Sequence, residues 1–217
     1  MIQDNIMRQL EVQLNSLFAG GGQDFASIRT KIDMAYERCI EALSACIDKH
    51  LNPDGKPRFS LYNSDCWSIF LYYLSNCLKD EKDGSAEKVF YLNKVLHSVD
   101  WYYEIELPPH FIVAHPLGSV LGRATYGDYL CIYQGVTVGG NGTMYPVIGN
   151  NVMFYSNAKV LGNAHIGNNV VFSANSYVIN EDIPNDCIVF GSSPNLIIKH
   201  DKNKVNSIMK EAWRHYL

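Results

Sequence analysis

The chain has 217 residues, 47% apolar and 18% charged, with 22 acidic side chains against 18 Lys and Arg. That composition suits a globular chain of one or two domains, and no basic cluster offers a footprint for nucleic acid. No apolar run approaches the roughly 18 residues of a membrane span. The first residues, MIQDNIMRQLEVQ, carry acids where a signal peptide has cations and an apolar stretch. Cys39, Cys46, Cys66, Cys77, Cys131 and Cys187 form no CxxC pair and read as reduced, mostly structural thiols of a cytoplasmic protein.

The first hundred residues follow a helical rhythm. Apolar residues recur at helical spacing over Ile6–Phe18 and again over Ile28–Leu51, with Gly20-Gly21-Gly22 between the two helices. Asn52-Pro53-Asp54-Gly55-Lys56-Pro57 is expected to stop the second. A third helix is predicted from about Asp65 to Leu78, with Ser64 or Asp65 as its N-cap. Its text, CWSIFLYYLSNCL, is apolar nearly all round, which implies burial or a subunit interface. Asp83-Gly84-Ser85 opens a fourth helix ending near His97, and a last one is expected over about Asp201 to Tyr216.

Between them the period changes to six. Ala114, Val120, Tyr126, Ile132 and Val138 are spaced by six, and the beat resumes at Ile148, Phe154, Val160, Ile166, Phe172 and Val178, more loosely at Pro184 and Phe190. Asn151, Asn157, Asn163, Asn169 and Asn175 keep a second beat, and Val152, Ala158, Ala164, Val170 and Ser176 a third. Helices and ordinary strands repeat at other periods, whereas a stacked solenoid puts the same residue type at the same place in every coil. The large residue should point inward, the small one should leave room for neighbouring coils, and Asn should occupy turns of positive φ. Gly139 to Pro146 breaks the rhythm with four extra residues, an excluded loop of the kind that often lines a working surface.

His115 directly follows a beat position and is expected to face outward, on one ridge with Tyr133 and then Tyr155. The other histidines, His50, His97, His110, His165, His200 and His215, show no ligand spacing, so no metal is expected.

The stretch Leu117 to Lys199, with VLGRATYGDYLCIYQGVTVGGNG, YPVIGNNVMFYSNAKVLGNAHIGNNVVFSANSYVI and IPNDCIVFGSSPNLIIK, resembles the serine acetyltransferase family of hexapeptide-repeat proteins. The resemblance implies an α+β chain: a helical domain over residues 1–104, a left-handed parallel β-helix over 105–200 and a C-terminal helix over 201–217. It implies acetyl transfer from acetyl-CoA to a hydroxyl, in a homotrimer with sites between prisms, paired into a hexamer through the helical domains. His115 matches the catalytic base, and Glu106, with Glu104 in reserve, is the candidate for the acid that orients it. Backbone N–H groups at Gly139 or Gly140 would hold the oxyanion. CoA would lie along Ser156, Asn157, Ala174 and Asn175, with Lys199 near its phosphates, and Tyr133 and Tyr145 would face the acceptor.

The chain departs from that pattern where the family holds its amino acid. Ala114 stands where the family has Asp, and Met144-Tyr145-Pro146 where it has Arg-His-Pro, so this loop offers no fixed cation to an α-carboxylate. A sugar or polysaccharide-precursor hydroxyl or amine is therefore the alternative acceptor. A non-catalytic structural trimer is the alternative of another class.

Overall fold

A computed structural model describes residues 2–19 and 27–216; the glycine run at 20–22 lies outside the described residues. The chain opens with α1 (Ile2–Leu17), α2 (Arg29–Ser44), α3 (Ser64–Cys77) and α4 (Ser85–His97). Among the described residues no helix is long and apolar enough to cross a membrane.

α3 is apolar all round because it is the centre of the helical layer. Every residue from Cys66 to Asn76 is buried, between α2, α4 and the first coil of the solenoid. Its polar atoms are not wasted. Tyr72 Oη donates to the Ile105 carbonyl at 2.7 Å, Tyr73 Oη to that of Pro108 at 3.0 Å, and Asn76 Nδ2 to that of Tyr103 at 2.9 Å. The helix thus fastens the chain that leads into the solenoid. Its N-cap is Asn63, whose side chain accepts from the Cys66 N–H at 2.9 Å, so neither Ser64 nor Asp65 caps it.

α2 ends at Ser44, well before the predicted stop. The buried Asn52 side chain donates to the Leu43 carbonyl at 3.0 Å and to that of Cys46 at 2.9 Å, terminating the helix from a distance. Residues 45–47 then pair with the end of the chain. Ile47 N–H donates to Ala212, Arg214 N–H to Ala45 and Arg214 Nε to Cys46, all within 3.0 Å. That pairing also shortens the last helix: α5 covers only Lys202–Met209, and the chain leaves it to reach residues 45–47.

Among the described residues, thirteen short strands build a parallel β-solenoid with three faces. One face stacks β2 (Phe111–Ala114), β5 (Leu130–Tyr133), β8 (Val152–Phe154), β11 (Val170–Phe172) and β13 (Cys187–Ser192). The second stacks β1 (Asp100–Trp101), β3 (Val120–Leu121), β6 (Thr137–Gly139), β9 (Lys159–Leu161) and β12 (Tyr177–Ile179). The third holds β4 (Thr125–Tyr126), β7 (Val147–Ile148) and β10 (His165–Ile166). The last strand, β14 (Asn195–His200), folds back antiparallel on β13.

The beat of six holds from Tyr126 to Val178, where each large residue is buried and stacks on its counterpart one coil away, as Phe154 does on Phe172 at 4.6 Å. It slips at both ends. Val113 lies over Ile132 and Leu121 over Val138, so the inward residues of the first coil are Val113 and Leu121, not Ala114 and Val120. At the far end Ile183 and Val189 take the places expected for Pro184 and Phe190. The small-residue beat is buried throughout, from Val152 to Ser176. Asn151, Asn157, Asn169 and Asn175 all have positive φ, but Asn163 does not: Gly162, at φ +70°, takes that corner. An added Cβ there would stand 2.2 Å from the Asn180 side chain, so stacking as well as φ requires glycine.

Candidate active site

The corner after β2 is unlike those above it. It holds His115 to Ser119 between β2 and β3, whereas only residues 134–136 join β5 to β6. Two residues are extra, and two have positive φ, Gly118 at +71° and His115 at +53°. For histidine that conformation costs on the order of 1 kcal/mol and persists only where surrounding contacts impose it. From inside, the buried Ser119 Oγ donates to the Pro116 carbonyl at 2.6 Å and accepts from Trp101 Nε1 at 2.8 Å. From outside, Asp65 in the first turn of α3 faces it: burial raises the Asp65 carboxyl and His115 opposes that rise. The His115 side chain remains exposed.

The widened corner also corrects the ridge. Tyr133 lies over Ala114, nineteen residues away, so His115 stands one residue beyond the aromatic column, at its edge. Tyr133 and Tyr155 do stack, with ring centroids 5.1 Å apart. Burial pushes the Tyr133 phenol up to about 12, helped by Cys131 and Tyr155 and by Glu211 and Asp48. It therefore stays protonated at neutral pH and is able to donate a hydrogen bond. Burial and then Glu211 raise Tyr155 in the same direction. Carboxylates act on this corner and its rings: Glu211 and Asp48 on Tyr133, and Asp48 on Asp65, which also feels His115.

Glu106 is not part of this group. Its carboxylate pairs with Lys79, lies 3.4 Å from Asn76 Nδ2 and 3.9 Å from Arg38. Partial burial pushes it up, but these partners prevail and hold it below the usual carboxylate range. Glu104 is taken by Arg123 at 3.3 Å. The acid that feels His115 is Asp65, fifty residues upstream on another element, which no local spacing announces. The one visible signal was its place in the first turn of α3.

The residues expected along CoA form one column above His115. Asn157 N–H donates to the Gln134 carbonyl at 2.8 Å and Asn175 N–H to that of Ser156 at 2.9 Å, so Ser156, Asn157, Ala174 and Asn175 stack on a single edge of the prism. Asn157 Nδ2 donates to Asn175 Oδ1 at 3.2 Å, tying the edge together. At its foot the Gln134 side-chain oxygen is buried with no donor among the described residues.

Gly139 and Gly140 lie one corner further on. Gly139 accepts from the Gly162 N–H at 3.0 Å, and Asn141 and Met144 close the loop on each other. The half-exposed Tyr145 ring folds back onto Gly140, where an added Cβ would sit 2.6 Å from it. The four extra residues are therefore a set turn that presents Met144 and Tyr145. Lys199 sits apart, exposed on β14 with Nζ 5.1 Å above the Phe190 ring.

The bacterial transferase hexapeptide family (six repeats) matches residues 145–180. The serine acetyltransferase of Synechococcus elongatus is 40% identical over 114 residues, 50% of this chain and 46% of that relative, so the chain spans about half the relative's length. The serine acetyltransferase of Staphylococcus aureus strain Mu50 is 34% identical over 144 residues, 64% of this chain and 67% of that relative. In fold, the chain is similar to the Neisseria gonorrhoeae serine acetyltransferase, with TM-score 0.70 and 22% identity over 93% of this chain and 80% of that one. It is also similar to a serine acetyltransferase in complex with CoA, with TM-score 0.62 and 23% identity over 80% of this chain and 76% of that one. By the extent of the staphylococcal match, carried on helices followed by a solenoid of sixes, the chain belongs to the serine acetyltransferase family.

Proposed function

We propose that the chain is an acetyl-CoA-dependent O-acetyltransferase in which His115 is the general base. The observation that carries this reading is the corner itself: an exposed imidazole held at φ +53° at the foot of a column of stacked turns. A histidine titrates close to neutral pH, which suits it to take the acceptor's proton as the oxygen attacks the thioester carbon. The C–S bond then breaks, the imidazolium gives its proton to the leaving sulfur, and CoA departs as the thiol. Backbone N–H groups at Gly139 or Gly140 are the proposed donors to the oxyanion, and Tyr133 and Tyr145 the proposed acceptor contacts. CoA is proposed to lie along Ser156, Asn157, Ala174 and Asn175 with Lys199 beyond. A CoA complex of a protein of the same fold supports CoA as the ligand. We further propose a cytoplasmic homotrimer, with the helices of residues 1–104 as cap and assembly domain, able to pair trimers into a hexamer. The free state of all six cysteines supports that compartment.

Serine is the acceptor that the relatives' names favour. A second reading, a sugar or other acceptor without a carboxylate, rests on the carboxylates Asp65, Asp48 and Glu211 that act on this corner and on Tyr133, and on the loop's Met144 and Tyr145. Release of free thiol from acetyl-CoA decides between them. Serine-dependent release supports the first reading, and release with a nucleotide-sugar or amino-sugar panel alone supports the second. No release with any acceptor, and no CoA binding by calorimetry, would mean a structural trimer. His115→Ala should lower turnover about 10²- to 10⁴-fold without unfolding the chain. A variant of near-normal activity would sink the mechanism.

A further inference from the structure

We propose that the cleft of about 510 Å³ between residues 47–55 and Arg214 is a second ligand site and takes a free α-amino acid, its carboxylate on Arg214 and Lys49 and its ammonium on Asn52 Oδ1 and Asp54. No residue of the candidate active site lines this cleft, and the proposal does not depend on the reading of His115.

Arg214 is pinned yet unmatched. Its Nε donates to the Cys46 carbonyl at 3.0 Å and its backbone N–H to that of Ala45 at 2.9 Å. Among the described residues no carboxylate pairs with Arg214 or with Lys49. The two Nη groups therefore remain as a fork, the geometry that grips a carboxylate through two parallel bonds. Gly55 makes room for that fork: it turns at φ +77°, and an added Cβ would stand 3.2 Å from Nη1. Asn52 is only 3% exposed, and its Nδ2 meets the Leu43, Ser44 and Cys46 carbonyls at 3.0, 3.2 and 2.9 Å. Those acceptors fix which end of the amide is nitrogen, so Oδ1 is the buried atom that meets no donor. An acceptor in that state is relieved by an N–H from outside the chain. Asp54, at φ +52° between Pro53 and Gly55, brings an exposed carboxylate to the same cleft, with no cation paired to it among the described residues. Two unmatched cations and two unmatched acceptors suit a ligand that carries both a carboxylate and an ammonium. A simple anion would leave Asn52 Oδ1 unmet and face Asp54 as a like charge, and a bare amine would leave Arg214 unmet. The volume is that of a small-molecule site. The cleft also lies where residues 45–47 pair with Ala212 and Arg214, so an occupant would tie the helical half to the end of the chain.

The test is calorimetry on the full chain with each amino acid that lacks a hydroxyl or thiol, beside propionate, ethylamine and inorganic phosphate. At least one amino acid should bind, and the three controls should bind at least about tenfold more weakly. Arg214→Gln should weaken that amino acid about tenfold, and Arg214→Lys should weaken it less. Lys49→Gln and Asp54→Asn should each weaken it about three- to fivefold. Lys49 and Asp54 are exposed and make no side-chain hydrogen bond among the described residues, so these two variants decide the matter if Arg214→Gln loosens the chain end. His115→Ala should bind the amino acid as the wild type does. Absence of binding by every amino acid at about 10 mM would overturn the proposal. So would propionate or phosphate binding as tightly as the best amino acid, an affinity unchanged in both Lys49→Gln and Asp54→Asn, or binding lost in His115→Ala.

Discussion

In the coils from Val147 to Ile179, buried residues mostly stack on their like, as Val152 on Val170 and Val160 on Val178, and the buried polar side chains are only Asn169 and Ser176. The helices bury Ser68, Ser75, Asn76, Asn93 and His97, each with hydrogen-bond partners of its own. Asn93 Nδ2 donates to the Ser68 carbonyl at 3.0 Å, and its Oδ1 meets His97 Nδ1 at 2.9 Å. One half gains stability by adding like layers, the other by particular polar contacts that must all form together.

The largest expected effect lies in the layers. Phe172→Ala removes a ring fully buried against Phe154 and leaves a cavity, which should cost about 3–5 kcal/mol in urea unfolding. A loss under about 1 kcal/mol would break the view that the coils depend on close-packed stacking. Next comes acid, which should act on the helices. Burial holds His97 at about 4, below the ordinary 6.5. The unfolded chain then takes up the proton first, so stability is full above pH 6.5 and is lost as pH falls toward 4, by about 3 kcal/mol. Urea unfolding across that range should show a flatter profile for His97→Gln. A slope unchanged from wild type would assign the acid sensitivity elsewhere. The smallest effect belongs to a regular corner: Asn175→Ala, at φ +63° and tied to Asn157, should lower stability by about 1 kcal/mol, and Asn175→Gly by less. Thermal melting that places Asn175→Gly below Asn175→Ala would show that the left-handed backbone is not what limits this corner.

What could be read from sequence follows the same division. The period of six is a local property, and it gave the solenoid, the inward residues from Tyr126 to Val178, and four of the five asparagine turns. Residues added or removed within a coil shift the register without leaving a mark on the text. Val113 and Leu121 are buried while Val120 is not, because the His115 corner is longer than its counterparts. Contacts between distant elements were out of reach. Asp65 and His115 come near each other only because α3 packs on the first coil, and α2 stops early because Asn52 and the chain's last turn claim its exit. Glu106, the acid expected beside His115, instead pairs with Lys79, because which carboxylate lies near the corner depends on a packing that sequence spacing does not record.

The pairing of residues 45–47 with Ala212 and Arg214 also sets an order of events during synthesis. The bond from Arg214 Nε to the Cys46 carbonyl spans 168 residues. At roughly 5–20 residues per second a ribosome needs about 10–30 s to deliver the second partner after the first. The helical half emerges first and is finished last, after every coil of the solenoid has left the ribosome.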